Sequence, residues 1–207
     1  METTGSPVLK FGTEPGLIGA TIDEALIAAI AAGDERAMRT LYNRHRVRVF
    51  RFAVRLVGDA AYAEDVVSEA FFEVWRQAGR FEGRSSVSTW IMSIARFKAL
   101  SVRRRRQEIE LDEKVAETVA DQSFTPEQAI LEMDRSAQLR ACLKLLSPDH
   151  REIVDLVYYH DKTIEEISEI IGVPKNTVKT RMFYARRRLA QLLARCHDFD
   201  HLATAAV

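Results

Sequence analysis

At 207 residues, 47% of them hydrophobic, the chain can build one large or two small cores, and its 30 basic against 30 acidic side chains leave no formal net charge. Cys142 and Cys196 are too few and too irregular for a disulfide framework. No apolar run spans a membrane and the N-terminus lacks the regions of a signal peptide, so the expectation is a soluble protein of the reducing cytoplasm with no membrane partner.

Zero net charge would argue against nucleic acid if the charges were evenly spread, but they are segregated along the chain. Arg96, Lys98 and Arg103 to Arg106 form one basic block, and Glu108, Glu110, Asp112, Glu113, Glu117 and Asp121 follow with Lys114 alone against them. No acid then interrupts the basic stretch between Gly172 and Cys196.

Residues 1–20 hold Gly, Pro and Thr without periodicity and read as a flexible extension. Thr21 with Glu24 has capping-box spacing, predicting a helix with Ile22, Ala25, Leu26, Ala29 and Ile30 on one face and Gly33 as its stop. Asp34 caps a longer helix in which Met38, Leu41, Val49, Phe52 and Leu56 alternate with arginines, and Gly58-Asp59 breaks it. A third helix is predicted from about Ala61 to Ala78 and a fourth, after the 79–88 loop, from about Thr89 to Arg106. Residues 107–124 lack an apolar period and carry the acids, which reads as a linker.

Helix is expected to restart at Thr125-Pro126 and again at Ser147-Pro148. Thr163 and Glu166 form a further capping box, Ile164, Ile167, Ile170 and Ile171 supply an apolar face, and Gly172 ends the segment. A basic helix opens near Pro174 with Val178, Met182, Ala185 and Leu189 on one stripe. At about 100° per residue the opposite face carries Asn176, Thr180, Phe183 and Arg187, with Lys179 beside them. This is a helix-turn-helix pattern: amides, hydroxyls and cations near the helix start reach base edges, while Lys175, Arg181, Arg186 and Arg188 flank them toward phosphates. A solvated basic αα-hairpin is the plainer alternative. No segment alternates like a strand. The fold class is all-α: a helical domain at 21–106, an acidic tether at 107–124, a smaller helix-turn-helix domain at 125–195 and a tail at 196–207.

Two further surfaces stand out. On the third helix Val66, Ala70, Val74 and Ala78 point inward, whereas Asp65, Ser68, Glu69 and Phe72 share another face, with Glu73 next to them. An aromatic beside carboxylates fits a protein partner; a broad buried surface for Phe72 with merely solvated acids fits equally well. The polar segment 81–88, leading through Trp90 into a basic helix, suits stacking of unpaired bases and a backbone grip, against the alternative that Trp90, Ile94 and Phe97 form one core stripe and Arg103 to Arg106 a plain charge run.

Taken together these blocks resemble the extracytoplasmic-function sigma factors, the two-domain members of the sigma-70 family. The resemblance runs from about Asp23 to Leu193 and rests on GDERAMRTLYNRH at 33–45, AEDVVSEAFFEVW at 63–75, STWIMSIARFKALSVRRR at 88–105 and LSPDHREIVDLVYYHDKTIEEISEIIGVPKNTVKTRMFYARRRL at 146–189. It implies that Asp65, Ser68, Glu69, Phe72 and Trp75 lie in the segment that docks on core RNA polymerase. It implies further that Arg84, Ser85, Ser86, Trp90, Phe97, Lys98, Arg103 and Arg104 serve the −10 element. The −35 readers would be Lys175, Asn176, Thr177, Lys179, Thr180, Arg181, Phe183, Tyr184 and Arg187, and the acidic linker would pass near the active-site cleft as a mimic of nascent RNA. Where the family usually has Gln and Asn this chain has Ser68 and Phe97, which puts one polymerase contact and one −10 contact in question.

The expected function is that of a sigma factor, a non-catalytic protein that binds core polymerase and promoter DNA and is restrained by an anti-sigma factor. No phosphate-binding glycine motif, activated nucleophile or compact metal-ligand cluster is legible, and no cofactor is expected. Cys196, His197 and His201 are rejected as a metal site for lack of a closing fourth ligand. The rival readings are a sigma-like decoy for an anti-sigma protein, which would carry a degraded recognition helix, and a self-sufficient repressor, which would need a dimerisation element.

Overall fold

The computed structural model describes residues 15–114 and 135–204, with side chains over 22–108 and 138–194. Asp34 starts the second helix by accepting the N–H groups of Arg36 and Ala37 at 2.8 and 3.2 Å. That helix, α2 (Glu35–Val57), follows α1 (Pro15–Ala31) and stops at Gly58, whose φ of 78° is the left-handed conformation that glycine adopts without a Cβ clash. Asp59 repeats the cap for α3 (Ala60–Gln77), and after a 3-10 turn at Ala78–Arg80 the chain enters α4 (Val87–Lys114). The second half comprises α5 (Arg135–Lys144), α6 (Pro148–Tyr158), α7 (Ile164–Ile171) and α8 (Lys175–Thr204).

Three boundaries differ from the sequence reading. Helix α1 begins at Pro15, so Thr21 lies inside it rather than at its cap; proline is tolerated in a first turn, where its missing N–H has no partner to lose. Helix α4 continues to Lys114, well into the stretch assigned to the linker, because Gln, Glu, Leu and Lys are strong helix formers and Arg104 meets Glu108 one turn on at 4.0 Å. Helix α8 likewise runs on to Thr204 through most of the assigned tail. The predicted start at Thr125-Pro126 and the side chains of Cys196, His197 and His201 lie outside the described residues.

The first module packs α1 to α4 around Leu41, Val49, Ala53, Ala63, Val66, Ala70, Val74, Val87, Ile91 and Ala95. In α1 the inward side is Asp23, Ile27 and Ile30, whereas Ile22, predicted on the apolar face, is exposed. The second packs α5 to α8 around Cys142, Leu146, Ile153, Leu156, Ile167, Ile170, Val178, Met182 and Ala185. Phe52 from α2 and Met92 from α4 are also fully buried, and they belong to this second core. Each such burial is worth about 1.5–3 kcal/mol. The stripe that periodicity assigned to the first core thus also faces a neighbour: the modules share an interface, with α4 packed on α7 and α2 on α6.

Candidate nucleic-acid interface

Helix α7 is pinned at both ends. Thr163 Oγ1 accepts the Glu166 N–H at 3.2 Å while Glu166 Oε2 accepts the Thr163 N–H at 3.0 Å, completing the capping box. At its other end Gly172, φ 74°, sends its N–H to Ser168 O at 2.9 Å, and the Ser168 hydroxyl donates to Val173 O at 2.6 Å. The turn is therefore fixed in backbone and side chain. Pro174 O accepts from Thr177 and Val178, so α8 leaves the turn already wound.

The predicted stripe of α8 divides as expected. Val178, Met182 and Ala185 are buried and Leu189 half-buried, while Lys175, Asn176, Lys179, Thr180, Phe183, Tyr184 and Arg187 are exposed and Thr177 is half-buried. The two aromatics are more than half exposed and meet edge to face at 5.4 Å, an apolar ledge within a cationic surface. Two cations are tied back: Arg181 to Asp149 of α6 at 2.9 Å and Lys175 to Glu165 of α7 at 3.3 Å. Lys175 helps to lower the Glu165 pKa, after the hydrogen bond from that residue's own backbone.

In the first module the loop before α4 presents Arg84, exposed and paired with Glu82 at 2.5 Å, beside half-buried Ser85 and Ser86. Ser86 caps α4 by accepting the Thr89 N–H at 3.2 Å. Trp90 is half-buried against the first core, with its ring 5.0 Å from that of Phe81. Phe97 does not share that packing; it is 69% exposed. Arg103 is half-buried beside Arg55, Glu152 and Asp155, and Arg104 is exposed. Lys98, grouped with these residues on sequence, instead lies 3.5 Å from Glu69 and 3.7 Å from Glu73 of α3.

On α3 the side chains of Asp65, Ser68, Glu69 and Phe72 are exposed together, Phe72 by 62%, so the buried alternative for this aromatic does not hold. Ser68 donates to Glu64 O at 3.0 Å, and Trp75 is half-buried against the first core. The Glu73 pKa is lowered, first by the Gln77 amide and then by Arg76 and Lys98.

Sequence reasoning missed a set of buried ionic groups. Glu152 and Asp155 of α6 and Lys162 before α7 are buried, and each meets the first module: Glu152 with Arg96, Asp155 with Arg55, Lys162 with Ser88 and Thr89. A signal was present, since Glu152 and Asp155 share a face of a helix with buried neighbours on either side, but their partners lie far back in sequence. Asp23 is a second such case: buried on α1, it accepts Arg44 Nη1 at 2.5 Å and pairs with His45 Nε2 at 2.8 Å.

A helix-turn-helix with a cationic, aromatic reading face, packed on a second helical module with a basic helix of its own, is the arrangement of a two-module nucleic-acid-binding protein, and two family matches assign it to the sigma-70 class. The Sigma-70 region 2 family matches residues 41–109 and the Sigma-70, region 4 family residues 136–189. ECF RNA polymerase sigma factor SigL of Mycobacterium tuberculosis is 33% identical over 170 residues, covering 80% of this chain and 93% of that one. SigK of Mycobacterium bovis, also an ECF RNA polymerase sigma factor, is 28% identical over 185 residues, covering 87% and 98%. Among solved structures, CnrH in complex with the cytosolic domain of CnrY shares the fold at a TM-score of 0.62 and 22% identity, covering 84% of this chain and 98% of that one. The sigma factor RpoE in complex with the anti-sigma factor NepR, from Bartonella quintana, aligns with a TM-score of 0.56 and 26% identity over 71% and 90% of the two chains. The chain belongs to the extracytoplasmic-function RNA polymerase sigma factors. It functions with core RNA polymerase in initiating transcription at promoter DNA. Among the described residues no helix is long and apolar enough to cross a membrane.

Proposed function

We propose that initiation is divided between the modules as follows. Residues 125–195 read the −35 element through α8, with Lys179, Thr180 and Phe183 toward bases and Lys175, Asn176, Thr177, Tyr184 and Arg187 toward bases or backbone; Arg181 reaches DNA on leaving Asp149. Residues 21–106 hold the −10 element, with Arg84, Ser85 and Ser86 at the loop, Phe97 stacking on an unpaired base, and Arg103 and Arg104 on phosphates. The half-buried Trp90 backs that surface. Lys98 serves it indirectly, by positioning the acids of α3, and Asp65, Ser68, Glu69 and Phe72, backed by Trp75, form the polymerase-docking face. The acidic stretch beginning at 107 mimics nascent RNA.

The observation that carries this reading is the undivided positive, aromatic face of α8, with the core stripe of the same helix buried behind it. Two small modules on a tether gain DNA affinity mainly by effective concentration once polymerase fixes their spacing, so the isolated factor binds weakly. The protein performs no catalysis of its own, works in the cytoplasm beside polymerase, and is held in check by an anti-sigma factor; the structural neighbour RpoE is in complex with the anti-sigma factor NepR. The test is a transcription assay with purified core polymerase comparing the wild type with Lys179→Ala and Phe72→Ala. The first is expected to lose −35-dependent starts and the second to lose polymerase binding; unchanged transcription from both would refute the division.

A further inference from the structure

We infer that the cleft between α2, the start of α4 and the turn after α6 is a binding site for a nucleoside polyphosphate, held by an arginine stripe of α2 that neither DNA reading nor polymerase docking uses.

The cleft has a volume of about 650 Å³, within the range of small-molecule sites. Of the residues assigned to promoter DNA only Ser86 lines it, and none of those assigned to polymerase does. Its first wall is cationic. Arg44, Arg48 and Arg51 are spaced by four and three residues on α2, so they share one face and span about 10 Å along the helix axis. Arg55, next on the same stripe, is committed to Asp155. Arg44 holds Asp23 through Nη1 and keeps its side chain 40% exposed. Arg48 and Arg51 are exposed, and among the described residues no acid pairs with either.

Three acids also line the cleft, and two of them are already satisfied. Asp23 is engaged by Arg44 and His45, and Glu166 by Lys162 at 2.7 Å. Only Asp161, exposed at the rim, stands against Arg48 and Arg51, so the cleft keeps a positive excess. The opposite wall carries Tyr159, half exposed. Arg55 lies 3.8 Å from the centre of that ring and does not line the cleft, which leaves the rest of the ring to face it. Beside it Ser88 accepts the Lys162 ammonium at 3.3 Å and has its own hydroxyl proton to donate.

These groups select a chemistry. Guanidinium forks match phosphate oxygens in pairs, and a stripe about 10 Å long suits a chain of phosphates better than a single one. An aromatic ring across from the stripe suits a base, because stacking accepts any base face. Free polyphosphate offers the same phosphates without the base, and Tyr159 is what favours the nucleotide.

The test uses the full chain and isothermal titration calorimetry with ATP, GTP and sodium tripolyphosphate at about 150 mM salt, where loose surface attraction is screened. A single saturable event is expected, tighter for ATP and GTP than for tripolyphosphate. Arg48→Ala with Arg51→Ala is expected to weaken ATP about tenfold or more, since the lost contacts are charge-assisted. Arg39→Ala, at an exposed arginine of the same helix outside the cleft, is expected to leave it unchanged. Asp161→Asn removes the unpaired rim acid with a residue that tolerates the left-handed φ of 51° there, and is expected to tighten binding. Tyr159→Ala is expected to bring ATP down to the level of tripolyphosphate. Circular dichroism checks that each variant keeps its helix. Absence of saturable binding by the wild type overturns the site. So does equal weakening by Arg39→Ala, or binding that survives the double variant and so belongs to the basic helices used for DNA. Tripolyphosphate as tight as ATP, with Tyr159→Ala having no effect, overturns the nucleoside and identifies free polyphosphate as the occupant.

Discussion

The Glu166 carboxylate accepts the Thr89 hydroxyl at 2.7 Å across the module boundary, while its other oxygen closes the capping box of its own helix at Thr163. Burial raises the pKa of such a group; here the Lys162 ammonium, the Thr163 N–H and the Thr89 hydroxyl outweigh that and hold it down at about 2. A carboxylate depressed in the folded state contributes stability that is complete above its unfolded pKa, near 4.5, and is lost as pH falls toward 2. Acid titration followed by circular dichroism is expected to show a loss of stability across that window in the wild type. Glu166→Gln is expected to be less stable at neutral pH and flatter below 4.5; equal slopes would remove Glu166 as the cause.

His45 supplies a second pH dependence, at milder acidity. Burial lowers its pKa, against the opposing pull of Asp23, so it takes up a proton less readily folded than unfolded. Its contribution is complete above about 6.5 and is lost as pH falls below that value. Thermal melts between pH 7.5 and 5.5 are expected to show Tm falling in the wild type and a shallower fall in His45→Gln.

The helix-turn-helix depends on its cap. Thr163→Ala removes the acceptor for the Glu166 N–H and is expected to cost about 1 kcal/mol, read as a lower urea midpoint at unchanged m value. By comparison Leu41→Ala, in the middle of the first core, is expected to cost about 2–5 kcal/mol. A cap variant as damaging as the core variant would mean that Thr163 does more than cap.

How far the sequence carried the reading differs between surfaces. The buried stripe of α8 and its exposed counterpart were legible because both follow from a single helical period, which needs only local sequence. The same holds for the caps at Asp34 and Thr163, where the bonded groups are two or three residues apart. The start of α1 was not legible, since a proline in a first turn competes with a capping box that looks stronger on paper. Nor was the end of α4, where acids that read as linker also form helix. Least visible was the module interface. Phe52 satisfies the period of the first core while being buried in the second, and Lys98 shares a basic block with Arg103 while turning to Glu69 and Glu73. Periodicity tells which side of a helix is covered, never by what.

On α8, Lys179 is exposed, and no acid lies between Gly172 and Cys196 to oppose it within the helix. Lys179→Ala is expected to weaken −35 DNA binding by the polymerase holoenzyme and to lower the salt slope by about 0.9, the share of a single neutralised phosphate. Binding isotherms at several salt concentrations check this, and an unchanged slope would mean that Lys179 meets no phosphate.

The most direct measurement is run-off transcription with purified bacterial core polymerase on a genomic promoter library, with and without this protein. Discrete new start sites that share a −35 and a −10 element at fixed spacing are predicted. Binding to the same DNA without any dependence on polymerase, or the absence of new starts, would contradict the account.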